Sequence, residues 1–165
     1  MSEPVGNADD EILTALLGRA PSAAYEVVVR DQATATPIVI RNAPLTHDGR
    51  PMPTRYWLVD RDLSKAVSRL EADGAVRAAE REIDPAGLAA AHERYAAERD
   101  ASLAVEHAGP RPSGGVGGTR TGVKCLHAHL AYHLAGGDDP VGRWVVDRLA
   151  GAAPPKVVAR AGRPR

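Results

Sequence analysis

The order of patterns along the chain predicts an α+β fold: a small three-stranded antiparallel sheet covered by four to six helices, with a disordered C-terminal tail. Three observations carry this. Strand-like segments cluster between residues 25 and 59. All but one of the helix-like segments follow them. No alternation of strand and helix supports a parallel sheet. At 165 residues the length suits one domain, so residues 1–150 are read as a single unit and 151–165 as its tail.

Asp9 is placed to cap a short helix whose apolar edge is Ile12, Leu13, Leu16 and Leu17, with Gly18 and Pro21 ending it. From Tyr25 to Arg30 the residues alternate, with Tyr25, Val27 and Val29 on one side and Glu26 and Arg30 on the other, as in a half-buried strand. A second strand is expected from Pro37 to Ala43. The segment from Pro44 to Pro53 centres on Asp48-Gly49 between prolines and suits a long hairpin loop. Thr54 to Val59 then supplies a third strand around Tyr56-Trp57-Leu58, pairing antiparallel with the second.

After Val59 the period changes. Leu63, Ala66, Val67 and Leu70 share one helical face, with Asp60 or Asp62 as N-cap and Gly74 as the left-handed stop. Val76, Ala79 and Ile83 mark a shorter helix. Asp84-Pro85 opens the longest one, expected from Ala86 to Val105, on which Leu88, His92, Tyr95, Arg99 and Leu103 form one stripe. A loop rich in Gly and Pro runs from Gly109 to Gly122. Helices are expected from Val123 to Ala135, ending at Gly136-Gly137, and from Val141 to Leu149. The tail holds three prolines and four basic residues without an acid, which argues for disorder.

Lys and Arg together number 21, as do Asp and Glu. That balance removes the broad field of a protein that coats nucleic acid or an anionic membrane, so nucleic acid is not an expected partner and any anion site is local. The Gly162-Arg163-Pro164 match to a minor-groove hook is too short to change this reading. No apolar stretch approaches membrane-spanning length. The first residues, with Glu3, Asp9, Asp10 and Glu11, do not form a secretory signal, so a cytoplasmic location is expected. Cys125 is the sole cysteine, which excludes an intrachain disulfide and a four-cysteine zinc site.

The chemistry concentrates between Gly114 and His133. Four glycines in Gly114 to Gly118 leave backbone N–H groups unshielded before a helix start, where Arg120 and Lys124 add positive charge. Gly117, Gly118, Arg120, Lys124 and His127, with His92 and Arg99 from the long helix, are therefore the expected binding residues for a small anionic or phosphorylated ligand. A linker without ligand is the alternative, and neither the Walker A nor the dinucleotide spacing is met. Cys125 and His127 are candidates for nucleophile and base. Residues two apart on a helix do not face each other, so within the helix expected from Val123 these two are not expected to form a local dyad. Cys125, His129 and His133 recur at fourfold spacing, from which side chains can share a metal, though no acid in that helix completes the set. A third role, as an adaptor for a protein partner, predicts an exposed apolar patch on the Ile12-Leu16 helix or the last helix. No pattern names a cofactor.

Several segments together resemble the bacterial domain-of-unknown-function family 501, found largely in high-GC Gram-positive bacteria. They are Asp48-Gly49-Arg50-Pro51-Met52-Pro53-Thr54 leading into Tyr56-Trp57-Leu58, Ser68-Arg69-Leu70-Glu71, Ala91-His92-Glu93-Arg94-Tyr95, and above all Val123-Lys124-Cys125-Leu126-His127. The resemblance spans Tyr25 to Leu149. It implies an association with cell division or polyphosphate metabolism, because genes of the family resemble neighbours of a septum-formation protein and an exopolyphosphatase. Many relatives carry cysteine near the second strand and some just after the third. Here those stretches read Arg30-Asp31-Gln32-Ala33-Thr34-Ala35-Thr36-Pro37 and Leu58-Val59-Asp60-Arg61, which counts against an obligatory metal or disulfide there.

Overall fold

A computed structural model describes residues 8–151 and the backbone of 158–160. Helix α1 (Ala8–Leu17) precedes strands β1 (Ala23–Asp31), β2 (Pro37–Thr46) and β3 (Tyr56–Leu58). Helices α2 (Arg61–Ala72), α3 (Ala75–Glu82), α4 (Pro85–Asp100), α5 (Leu126–Leu134) and α6 (Pro140–Ala150) follow, with a 3-10 turn at Val116–Gly118. This is the α+β fold that the sequence predicts. The three expected strands pair antiparallel, and a short strand β4 (Val158–Arg160) adds to the free edge of β1, giving the order β3-β2-β1-β4. The rest of the tail expected to be disordered, including Gly162-Arg163-Pro164, lies outside the described residues.

The sheet is covered on both faces. On one, Leu13, Leu16 and Leu17 of α1 pack with Tyr25, Val27, Ile40, Trp57 and Val59. On the other, Val29, Val39, Tyr56 and Leu58 join Val67, Tyr95, Leu126, Leu130, Val141 and Val145 in the main core. The expected alternation along β1 therefore breaks partway. A register shift between Val27 and Val29 inserts an extra residue, so that Val27 stays with α1 while Val29 enters the main core.

Local caps set most helix ends where the sequence places them. Asp60 accepts from the Leu63 amide at 2.8 Å, and Asp84 accepts from Gly87 at 2.9 Å with Pro85 behind it. At the end of α5, Gly136 N–H donates to His133 O and Gly137 N–H to Tyr132 O, the paired bonds of a Schellman stop. Strand β2 continues to Thr46, into the segment expected as loop, β3 is confined to Tyr56–Leu58 within the expected Thr54–Val59, and two helix ends differ by three residues or more. Helix α4 ends at Asp100 rather than Val105, because Ser102 N–H turns back to Arg99 O and Leu103 N–H to Asp100 O in tight bonds that replace the helical ladder. Helix α5 begins at Leu126 rather than Val123. Gly122 sits in the left-handed region at φ 65° and Cys125 is extended at φ −154°, so the chain enters the helix only after Cys125.

Candidate functional site

The residues proposed from sequence fall into three separate settings. The first is the glycine loop. His92, on the buried stripe of α4, accepts a hydrogen bond from Val116 N–H through Nδ1 at 3.0 Å and donates from Nε2 to Gly122 O at 2.9 Å. A Cβ at Gly115 would lie 2.5 Å from His92 Cβ, so only glycine admits this approach. Arg99, 1% exposed, donates from Nη1 to Gly114 O at 2.9 Å, with Pro53 O and Ser113 O at 3.3 and 3.4 Å, and from Nε to Asp100. These two side chains hold the loop against the core. Its amides are largely engaged within the chain: Gly115 N–H donates to Thr119 O, Gly118 N–H to Gly115 O and Val123 N–H to Glu80 at 2.9 Å. Arg120 and Lys124 are exposed, while Gly117 and Gly118 are half-buried. Arg120 and His92 border a cavity of about 320 Å³ whose other walls include Glu80 and Leu88.

Burial pushes the His92 pKa below the usual imidazole value, and the neighbouring His129 ring, 5.7 Å away between centroids, acts in the same direction, while the Gly122 carbonyl and Asp139 oppose it. The neutral ring is also the one that can accept from Val116. Its contribution to stability is complete above the unfolded value of 6.5 and is lost as the pH falls from there through the lower folded value, because the unfolded chain takes up the proton first. The urea midpoint of the wild type relative to His92→Gln is therefore expected to drop between about pH 7.5 and about pH 5, the opposite contribution of a His127 raised to about 9 being common to both proteins. An equal slope in the variant would remove His92 as its source.

The second setting is buried between α5 and α6. His129 Nδ1 donates to Asp139 Oδ2 at 2.6 Å, with both side chains at most 1% exposed. The other oxygen of Asp139 caps α6 by accepting from Val141 and Gly142 amides at 2.9 and 3.2 Å. His133 is half-buried, and α6 crosses so near it that a Cβ on Gly142 would lie 2.3 Å from His133 Cβ. Among the described residues, Cys125, His129 and His133 do not bring three ligand atoms within 4.8 Å of one another.

The third setting is the start of α5, where Cys125 and His127 do meet. Because Cys125 is the N-cap and lies outside the helix, the rule that turns residues two apart from each other does not apply, and its Sγ is 3.6 Å from His127 Nδ1. Glu71, on α2, completes the group: its Oε1 is 3.2 Å from the same Nδ1 and accepts from Leu126 N–H at 2.7 Å, serving as a side-chain cap for α5. On the far side of the ring, Nε2 lies 3.0 Å from Ser64 O and 3.2 Å from Ser68 Oγ. Among the described residues, Glu71, Cys125 and His127 form the cluster whose ligand atoms lie within 4.8 Å of one another. The sulfur of Cys125 chiefly raises the His127 pKa, burial opposes it, and the Ser64 carbonyl and Glu71 assist, holding the ring up to about 9.

Sequence reasoning passes over Glu71, Ser64 and Ser68. Their signal is a polar row at helical spacing beside the apolar stripe of α2, within a motif already notable as Ser68-Arg69-Leu70-Glu71. The same helix carries Arg61, Lys65 and Arg69, which with Ser64 and Ser68 border a groove of about 490 Å³ floored by Leu16 of α1 and Leu58 of β3. The large hydrophobics exposed among the described residues are Ile12 and Val105, so the α1 patch expected of an adaptor comes down to Ile12. Among the described residues no helix is long and apolar enough to cross a membrane.

Comparison with curated proteins and with solved structures yields no match. A family model does match, over residues 28–147, which takes in the end of β1, all of β2 and β3, the α2 row, the glycine loop and the Cys125-His127 pair. The chain thus belongs to the protein family of unknown function DUF501.

Proposed function

We propose that the chain binds a small phosphorylated organic ligand in the groove between α1 and α2. One observation carries the reading: Arg61, Lys65 and Arg69 line a single groove, in a chain of zero net charge, with no acidic partner among the described residues. Arg61 donates to the Ala15 carbonyl of α1 at 2.5 Å, but cations on one helix without a carboxylate partner beside two serine hydroxyls suit an anion that needs both charge and hydrogen bonds. The leucine floor suits an apolar body attached to it. The glycine loop lends less support to the same ligand class, since many of its amides already donate within the chain.

Calorimetric titration with phosphate, pyrophosphate, polyphosphate and nucleotides tests the proposal. Lys65→Ala with Arg69→Ala is expected to weaken the best of these by about tenfold or more, and added salt should weaken the wild type similarly. Absence of binding by every anion would end the reading. Loss of binding in Arg120→Ala with Lys124→Ala, but not in the α2 variant, would move the site to the glycine loop.

A further inference from the structure

We propose that Glu71, Cys125 and His127 form a site for a zinc-class divalent cation, with three ligands from the protein and a fourth position open to water or substrate. The proposal does not rest on ligand binding in the groove, although Ser64 and Ser68 border both places.

Geometry is the first support. Zinc bound at about 2.3 Å to sulfur, about 2.05 Å to nitrogen and about 2.1 Å to oxygen in a tetrahedron separates sulfur from nitrogen by about 3.6 Å and nitrogen from oxygen by about 3.4 Å. The observed separations are 3.6 Å from Cys125 Sγ to His127 Nδ1 and 3.2 Å from Nδ1 to Glu71 Oε1. All three ligand atoms lie within 4.8 Å of one another.

The orientation of the ring is the second. The Ser64 carbonyl can only accept, so at 3.0 Å it keeps a proton on Nε2, and a cation entering at Nδ1 displaces the proton that the metal-free ring holds there against Glu71 and Cys125. The bond to Ser64 is the outer hydrogen bond that metal-bound histidines commonly make. A cysteine-histidine-acid triad requires the opposite arrangement, with nucleophile and acid on different ring nitrogens. Here Cys125 and Glu71 share Nδ1, while Nε2 is held by Ser64 and Ser68.

Donor chemistry and access agree. A thiolate and an imidazole select zinc-class ions over magnesium or calcium, and one carboxylate with one thiolate balances the charge of the cation. The N-terminus of α5 favours both anionic ligands. His127 and Glu71 side chains are 25% and 27% exposed, so the open position can be reached from solvent.

The chelator-treated full-length protein, titrated with zinc alone against a chromophoric chelator and separately with cobalt, provides the test. About one equivalent should bind, and the cobalt form should show a near-ultraviolet sulfur-to-metal band with the visible intensity of a tetrahedral site. Cys125→Ser should abolish that band. Glu71→Gln, which keeps an oxygen to cap Leu126, should weaken zinc at least about tenfold without changing the far-ultraviolet dichroism. The Lys65→Ala, Arg69→Ala variant should bind zinc as the wild type does, which separates this site from the groove. Uptake below about 0.1 equivalent by the wild type, cobalt bound without a sulfur band, or full zinc affinity in Cys125→Ser would each overturn the proposal.

Discussion

Asp139→Ala is expected to cost about 3–5 kcal/mol of unfolding free energy, one of the two largest effects we anticipate in the chain. The carboxylate is fully buried and accepts from three donors: His129 Nδ1 and the amides of Val141 and Gly142. Alanine leaves all three without a partner, and each buried donor so stranded costs about 1–3 kcal/mol, with some relief as the helices readjust. Asp139→Asn divides the effect. Its amide oxygen can still cap α6, while the charged acceptor facing His129 is lost, so it should recover part of the stability. Urea unfolding followed by dichroism measures both variants. A loss in the alanine variant below about 1 kcal/mol would mean that the α5-α6 contact does not depend on this carboxylate.

Arg99→Met should cost about 3 kcal/mol, for a different reason. Methionine replaces most of the apolar stem but none of the donors, so the Gly114 carbonyl loses its 2.9 Å partner and Pro53 and Ser113 lose their weaker ones. The guanidinium thereby ties α4 to the loop after β2 and to the glycine segment. Its removal should raise amide exchange selectively at Gly115 and Gly118, whose bonds close the loop, and less in α2. Uniform exchange across both regions would show that Arg99 supports global stability rather than the loop.

The ion-binding cluster and the loop clamp illustrate two kinds of legibility. His92 and Arg99 stand out from sequence as polar residues on the core stripe of α4, and they are buried as that stripe requires. What they touch does not follow from the stripe. Most of their partners are backbone groups of a loop some 14 to 30 residues away, with Pro53 O 46 residues away, chosen by how these segments fold over the helix. Cys125 is harder still. Continuous helical periodicity from Val123 places it inside α5, whereas Gly122 and the capping carboxylates of Glu71 and Glu80 delay the helix by three residues and turn the thiol toward His127.

Local physics was enough for the α+β class, the three strands, and helix ends at Asp60, Gly74, Asp84-Pro85 and Gly136-Gly137, because caps, turns and periodicity act through groups a few residues apart. The shift that sends Val29 into the main core and the meeting of Glu71 with His127, 56 residues apart, were decided only when the sheet twisted and α2 came to rest against the start of α5. Contacts of that kind depend on which faces of distant elements bury each other, and no window along the chain contains both partners.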